Sequence, residues 1–524
     1  MMTFSGKNII GDSLAGEGKI IFYAENPANR NKLEPGFHEA SEKEIRLAVE
    51  KAASAFQHYR NKSGKQKADF LESIAEEITA LGDDLIHRCM EETGLPEARL
   101  KGERGRTVTQ LKLFATYLRD GSWVDARIDK ADPARTPPKA DIRSMQKALG
   151  PVGIFGASNF PLAFSVAGGD TTSALAAGCT VVFKAHPAHP GTCEMVGTAI
   201  AKAAKKTGMP EGTFSMVHGK STVVGLAIVR HPLVKAIGFT GSYRGGKALF
   251  DVANSRPVPI PVYAEMGSTN PVFILPEAMR ERKEAIAKDL AASVTLGVGQ
   301  FCTNPGLIFY HPDQKTDFAE SFSKTLEESA PGVMLTSNIQ EAYMAGVEKL
   351  AGTKGVSTLL KGKPAGNGCF GPAYLFQSTG DVFLKDHSLE EEVFGPSTLA
   401  ITVDDKTQLL RIATRLGGHL TATLHATEND LEEYAELISI LEQKVGRMII
   451  NGYPTGVEVT HAMVHGGPYP ATTDSRTTSV GTDAIKRFSR PVCYQNFPKS
   501  ILPDELKDEN PLKIWRLVNG NLEK

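Results

Sequence analysis

The stretch from residue 152 to residue 265 limits the possible folds of this chain more than any other. Short apolar runs at 152–156, 180–184, 214–218 and 236–240 alternate with helix-period segments at 166–177, 193–207 and 223–230. Such alternation predicts a parallel sheet covered by helices on both faces, because parallel strands need crossovers and the crossovers pack as helices. Ligands bind such sheets beyond the carboxyl ends of their strands. Lys184, Thr240 and Glu265 each end an apolar run, so the chemistry is expected along one sheet edge.

After Glu265 the pattern restarts. Strand-like runs at 272–275 and 307–310 bracket a helix at 283–296, and further units continue to 448–451. A chain of 524 residues is too long for one ordinary core, and the restart reads as a second α/β domain. Before residue 150 the chain reads as scaffold. A short strand within 19–30 closes on an Asn-Pro turn, and three helices follow. The first is capped by Ser41, with Glu44 completing a capping box. The second carries Phe70, Leu71, Ile74 and Ile78, and the third carries Val108, Leu111, Phe114 and Leu118. Their charges are expected on a solvated face. Pro137-Pro138 lies in a non-periodic surface connection at 130–140, 142–149 reads as an extended arm, 487–496 as a strand, and 510–519 as a docking segment.

Composition excludes several function classes. Net charge is -1 and no Lys/Arg run occurs, so neither nucleic acid nor a membrane surface is an expected partner. The N-terminal stretch lacks an apolar signal segment and no window resembles a spanning helix, which predicts a cytoplasmic protein. The six cysteines lack CxxC pairing and read as reduced thiols rather than disulfides or a zinc site. His186 and His189 lie close together between prolines, but further ligands are missing, so no metal is expected.

Cys302 stands apart from the other five. It sits in Gly-Gln-Phe-Cys-Thr-Asn-Pro-Gly, a glycine-bounded polar loop suited to an exposed nucleophile with a stabilised thiolate. Glu265 follows a buried run, and apolar walls would raise its pKa and make it a general base near neutrality. Asn159, in Ser-Asn-Phe-Pro, offers either an Asx turn or an amide donor to an oxyanion. Gly238-Phe-Thr-Gly-Ser242 leads into a helix without the GxGxxG pattern, and Ser242 there suits a phosphate.

Taken in order along residues 20–500, these motifs resemble those of the aldehyde dehydrogenase superfamily. They are Ser158-Asn-Phe-Pro161, Gly238–Ser242, Glu265-Met-Gly, the Cys302 loop and Glu391-Glu-Val-Phe-Gly-Pro396. The resemblance implies an α/β aldehyde dehydrogenase fold. Residues 1–140 with 150–265 would form the Rossmann-like cofactor domain, 266–465 the catalytic domain, and 141–149 with 485–497 the oligomerisation strands of a homodimer or homotetramer. It also implies Cys302 as nucleophile, Glu265 as base and Asn159 as oxyanion donor, acting on a small-molecule aldehyde through a thiohemiacetal and a thioester. Lys184, Ser242 and Glu392 would contact the cofactor, Phe394 would hold its nicotinamide end, and Phe155, Ser158, His186, Gly241 and Gly246 complete the cofactor-binding set.

Two features narrow the expectation. Family members with Lys-Pro-x-Glu hold the adenosine ribose with the Glu, whereas Lys184-Ala-His-Pro187 offers no carboxylate to repel a 2′-phosphate. NADP is therefore favoured, with NAD accepted. The segments 461–476 and 490–497 resemble the 2-oxoglutarate semialdehyde (2,5-dioxopentanoate) dehydrogenases of sugar-acid and hydroxyproline breakdown, the alternative being the long-chain fatty aldehyde branch. No Arg follows Asn-Phe-Pro closely, so Arg476 and the Thr472-Thr473 pair become the candidate carboxylate anchors, with Arg476 equally suited to a surface ion pair. Coenzyme A-acylating enzymes of this fold typically lack the base, and a structural protein would have lost the catalytic positions, so Glu265 argues against both.

Overall fold

The computed structural model describes residues 4–312, 318–363 and 365–524. Residues 1–3 of the N-terminal stretch, and residues 313–317 and 364 of the expected second α/β domain, lie outside them. The N-terminal region opens with two short strands, β1 (Asn8–Ile10) and β2 (Ser13–Ala15), and a hairpin, β3 (Ile21–Asn26) with β4 (Asn31–His38). Four helices follow: α1 (Glu42–Tyr59), α2 (Gly64–Ala80), α3 (Gly82–Thr93) and α4 (Glu97–Asp120). The expected capping box starts α1: Ser41 Oγ accepts from the Glu44 N–H, and Glu44 Oε2 accepts from the Ser41 N–H. Glu44 also accepts from Asn8 Nδ2, tying β1 to the helix. The sequence reading missed α3, whose Arg88 and Glu92 are buried, and on α4 Glu103 is buried rather than solvated, because α3 and α4 pack against the sheet-covering helices.

The link at 130–140 is exposed, as expected of a surface connection. It lies between β5 (Arg127–Asp129) and β6 (Ile142–Ala148). The alternating region then gives β7 (Pro151–Phe155), α5 (Gly169–Ala177), β8 (Thr180–Lys184), α6 (Pro190–Lys206), β9 (Phe214–Val217), α7 (Thr222–Arg230), β10 (Ala236–Thr240), α8 (Tyr243–Asn254) and β11 (Val262–Glu265). The sheet order is β11-β10-β7-β8-β9-β1-β2, parallel from β11 to β9. β7 precedes both its neighbours in sequence, so the strand order reverses there. A crevice opens at that reversal, beyond the carboxyl ends of β7 and β10.

A second sheet begins with β12 (Val272–Ile274), followed by α9 (Pro276–Thr295) and β13 (Leu307–Tyr310). A small ribbon pairs β14 (Gly332–Val333) with β16 (Phe370–Gly371), and β15 (Ser357–Lys361) lies between them in sequence. β17 (Tyr374–Thr379), β18 (Ser397–Thr402), β19 (His419–His425) and β20 (Val445–Ile450) complete the order β15-β17-β18-β13-β12-β19-β20, with β15 antiparallel. A third sheet pairs β6 with β21 (Ser489–Gln495) in antiparallel register from Ile142↔Gln495 to Ala148↔Ser489. The arm expected from residue 485 becomes strand at Ser489, since 482–488 form a 3₁₀ turn. β22 (Arg516–Val518) and β23 (Asn521–Glu523) extend this sheet beside β5, so the expected docking segment at 510–519 ends in strand β22, with β23 just beyond it.

The turn that delivers Cys302 is built on left-handed backbone. After α9, Gly297, Val298 and Gly299 have φ of +56°, +59° and +63°. A β-branched residue such as Val298 is strained there, and such strain persists only where the surroundings over-determine it. They do so at Gly299, where an added Cβ would lie 2.3 Å from the carbonyl carbon of Gly395. This contact brings the cysteine loop against the Glu392–Phe394 segment. Gly299→Ala is expected to lower stability by at least about 1–3 kcal/mol from φ alone and to abolish turnover. Chemical denaturation with a parallel activity assay checks this.

Candidate active site

Of the three strand ends expected along this edge, Thr240 and Glu265 line the crevice and Lys184 does not. Thr240 pairs with Glu265 across β10 and β11, and Ser158-Asn159 follows β7 in the same crevice. Met266 donates its N–H to the Ala471 carbonyl, Thr473 donates its own N–H to the Ala264 carbonyl, and the Thr473 hydroxyl donates to the Val262 carbonyl. A returning segment therefore closes the free edge of β11. Thr472 and Thr473 use their hydroxyls on backbone oxygens, and Arg476 is 87% exposed and paired with Asp474 at 2.8 Å. The structure thus overturns the expected substrate anchor at these three residues, which serve edge closure and a surface ion pair.

The returning segment also brings in His465, to which the sequence assigned no role. Its Nε2 lies 2.8 Å from Glu265 Oε1 and 3.4 Å from Cys302 Sγ. Glu265 and His465 are both buried, and Ser479 Oγ donates to Glu265 Oε2 at 2.5 Å. Asn270, held at φ +45°, clamps the loop by donating Nδ2 to the Cys302 and Asn304 carbonyls at 2.9 Å each. Asn159 Nδ2 donates to the Gln300 carbonyl at 2.9 Å, and a carboxamide carries a second N–H for a further acceptor. The only sequence signal for His465 is a histidine within 461–476, a segment singled out for its resemblance, and Asn270 carried no signal of its own.

Electrostatics correct two expectations. Burial pushes the Glu265 carboxyl up, but His465, Ser479 and Arg487 together bring it below the usual range. The expected raised pKa is therefore not found, because the carboxylate has a hydrogen-bonded partner rather than apolar walls alone. Burial, the Glu265 carboxylate and the Glu392 carboxylate push the Cys302 thiol well above the ordinary value. The loop does not pre-ionise its cysteine. A thiol of this kind needs a base beside it, and His465 Nε2 is placed to be that base. One nitrogen faces both partners, so it either takes a proton from Cys302 or donates one to Glu265. Proton uptake from Cys302 creates an imidazolium whose counter-ion is already at 2.8 Å.

A cavity of about 800 Å³ joins these groups to the crevice. Cys302, Glu265 and Asn159 line it together with Ser158, Gly241, Ser242, Glu392 and Phe394. Ser242 caps α8 by accepting from the Gly245 N–H and leaves the helix N-terminus exposed to the cavity. Glu392 hangs into the cleft, and the protein around it raises its pKa to about 7. The remaining proposed cofactor contacts lie outside the cavity lining. Phe155 packs in the core beside Ile228, and Gly246 accommodates Met266, whose Cγ would lie 2.6 Å from an added Cβ. Lys184 ends β8 with its pKa lowered to about 8 by burial, and His186 stacks on His189 at 5.2 Å. Among the described residues, the group with metal-ligand spacing is Glu265, Cys302 and His465, not the His186–His189 pair. None of the six cysteines is paired, and no described helix is long and apolar enough to cross a membrane.

The pattern of the aldehyde dehydrogenase family matches residues 15–489. The chain belongs to that family. It is 50% identical over 526 residues, and over the full length of both chains, to alpha-ketoglutaric semialdehyde dehydrogenase 2 of Azospirillum brasilense. It is 49% identical to the alpha-ketoglutaric semialdehyde dehydrogenase of Acinetobacter baylyi, over 93% of each chain. Among solved structures, betaine aldehyde dehydrogenase of Staphylococcus aureus aligns with a TM-score of 0.81 at 18% identity, covering 96% of this chain and 99% of that one. The NAD+ complex of an aldehyde dehydrogenase from Bacillus cereus aligns with a TM-score of 0.79 at 22% identity, covering 93% and 96%. These two share the fold.

The raised Cys302 pKa has a direct consequence. Alkylation of Cys302 by iodoacetamide is expected to follow a pH profile with a midpoint above the value of about 8.5 for a free thiol, since less thiolate is present at neutral pH. His465→Asn is expected to lower kcat/KM about 10²–10⁴-fold, the usual range for losing a general base. Mass spectrometry of the Cys302 peptide across pH reads the first, and steady-state kinetics the second.

Proposed function

We propose that this aldehyde dehydrogenase oxidises 2-oxoglutarate semialdehyde to 2-oxoglutarate with a nicotinamide cofactor, NADP being favoured and NAD accepted. The observation that carries the reading is the Cys302–His465–Glu265 chain at the wall of the cavity that Ser242 and Glu392 also line. The substrate follows from the names of the relatives at 50% and 49% identity. The cavity fits the cofactor: it lies at the strand-order reversal, presents a helix N-terminus for the pyrophosphate and reaches the nucleophile. Ser242 would hold the pyrophosphate, and Glu392 and Phe394 the nicotinamide end. Lys184 and His186 would lie toward the ribose, where no carboxylate opposes a 2′-phosphate.

Cys302 gives its proton to His465 Nε2 as sulfur bonds to the aldehyde carbon, and the carbonyl oxygen becomes an oxyanion facing the free N–H of Asn159. Losing such a donor costs about 10²–10³ in rate. When bound, the nicotinamide supplies the hydride acceptor that converts the thiohemiacetal into a Cys302 thioester. Glu265, ionised at neutral pH, takes a proton from the attacking water. The C–S bond breaks as the acid forms, and the departing thiolate recovers a proton from His465. A second copy of the chain is proposed to dock along β21, an outer strand of its sheet, giving a homodimer or homotetramer.

An aldehyde panel tests the assignment. Turnover should be best with 2-oxoglutarate semialdehyde, above succinic and glutaric semialdehydes and decanal, and it should need no coenzyme A. Best activity on decanal would move the enzyme to the fatty-aldehyde branch. Cys302→Ala should remove all oxidation, and kcat/KM should be higher with NADP than with NAD. A strict NAD preference would refute the cofactor reading.

A further inference from the structure

We infer that Arg106, on α4, binds the carboxylate end of the substrate. The inference rests on the substrate class proposed above and adds to it the residue that selects that class. Four other arginines near the site are already engaged. Arg99 donates Nη2 to the Asn159 carbonyl at 2.6 Å and lies over the rings of Phe160 and Phe301. Arg447 donates to the Gly456 and Pro454 carbonyls. Arg487 pairs with Asp170 at 2.6 Å, and Arg476 pairs with Asp474 at the surface. Arg106 differs in degree and in having no other anchor: both its Nε and its Nη2 are buried without a hydrogen-bond partner, whereas Arg99, Arg447 and Arg487 each leave one such nitrogen and hold their place through the contacts just given. Buried guanidinium N–H groups left unsatisfied are costly, and a planar carboxylate is the ligand that matches two of them at once.

Its position suits that ligand. The guanidinium carbon lies 5.1 Å from the Phe164 ring centroid and 5.9 Å from that of Phe160. Phe164 packs against His465 with ring centroids 6.1 Å apart, and Phe160 packs edge-on against Phe301 at 5.3 Å, next to Cys302 in sequence. Arg106 is thus separated from the reacting centre by one layer of aromatic rings. Arg106, Phe160 and Phe164 are not among the residues that line the cofactor cavity.

The local charge balance also leaves room for an anion. The charged groups acting on Arg106 are Glu103, Cys302, Glu458 and Glu265. Glu265 is paired with His465, and Glu458 is exposed. Buried Glu103 faces both Arg99 and Arg106, and its Oε1 is occupied by the N–H groups of Leu162 and Ala163. Two arginines against one buried carboxylate leave one positive charge. The ligand it suits is a short aldehyde carrying a terminal carboxylate, with the aldehyde carbon at Cys302 and the flat chain between the phenylalanine rings.

The test compares kcat and KM for 2-oxoglutarate semialdehyde and for pentanal, an uncharged aldehyde of the same length, in wild type, Arg106→Met and Arg106→Lys. The methionine variant should lower the selectivity for the semialdehyde over pentanal about 10- to 100-fold, the range expected for charged hydrogen bonds. The change should lie mainly in KM, and lysine should restore part of it. An unchanged ratio, or an equal loss on both aldehydes with no rescue by lysine, would overturn the role of Arg106 while leaving the substrate reading intact. A wild-type enzyme with no preference for the charged aldehyde would overturn both. Pentanal turnover in each variant confirms a folded site.

Discussion

The shared nitrogen of His465 holds this site together. A carboxylate buried as deeply as Glu265 is costly unless it is paired and hydrogen-bonded; Ser479 at 2.5 Å hydrogen-bonds it throughout, and His465 at 2.8 Å pairs with it once Nε2 carries a proton. The same pairing fixes the imidazole against Cys302, so one contact stabilises the carboxylate, orients the base and sets the nucleophile's neighbourhood. It also explains why the thiol can stay protonated at rest. With two carboxylates nearby, a standing thiolate would be disfavoured, whereas a proton passed to His465 becomes half of an ion pair.

Three chain segments must meet for that contact to exist, and each is held by backbone geometry. The end of β11 supplies Glu265, and the returning segment at 471–473 closes its edge through an isolated bridge. The left-handed run at 297–299 turns α9 into the cysteine loop, and Asn270 ties the loop back to the segment that leaves Glu265. Gly299 against Gly395 then joins the loop to Glu392 and Phe394. Cofactor contacts and nucleophile are thereby fixed relative to each other.

Residues acting through period or local chemistry were legible in the sequence. The bounds of β8 and β10 matched at both ends because buried β-branched and aromatic runs end sharply at polar residues, and the Ser41–Glu44 box marked the start of α1. Residues acting through long-range pairing were not. β1 and β2 are three residues each and gain their place only by pairing beside β9. His465 lies 163 residues from Cys302 along the chain, and Arg106 looked like one more charge on a helix until Phe160 and Phe164 closed over it. The two mistaken pKa directions share this cause, since a sequence shows a carboxylate's neighbours in the chain but not its hydrogen-bond partners in space.

The central claim is that Cys302 carries the substrate while Glu265 hydrolyses it. Rapid-quench mass spectrometry of the Glu265→Gln variant, mixed with cofactor and 2-oxoglutarate semialdehyde, tests this most directly. The account predicts an acyl adduct on the Cys302 peptide that forms in step with one equivalent of reduced cofactor and then decays slowly. Acid released at the wild-type rate with no adduct at Cys302 would contradict it.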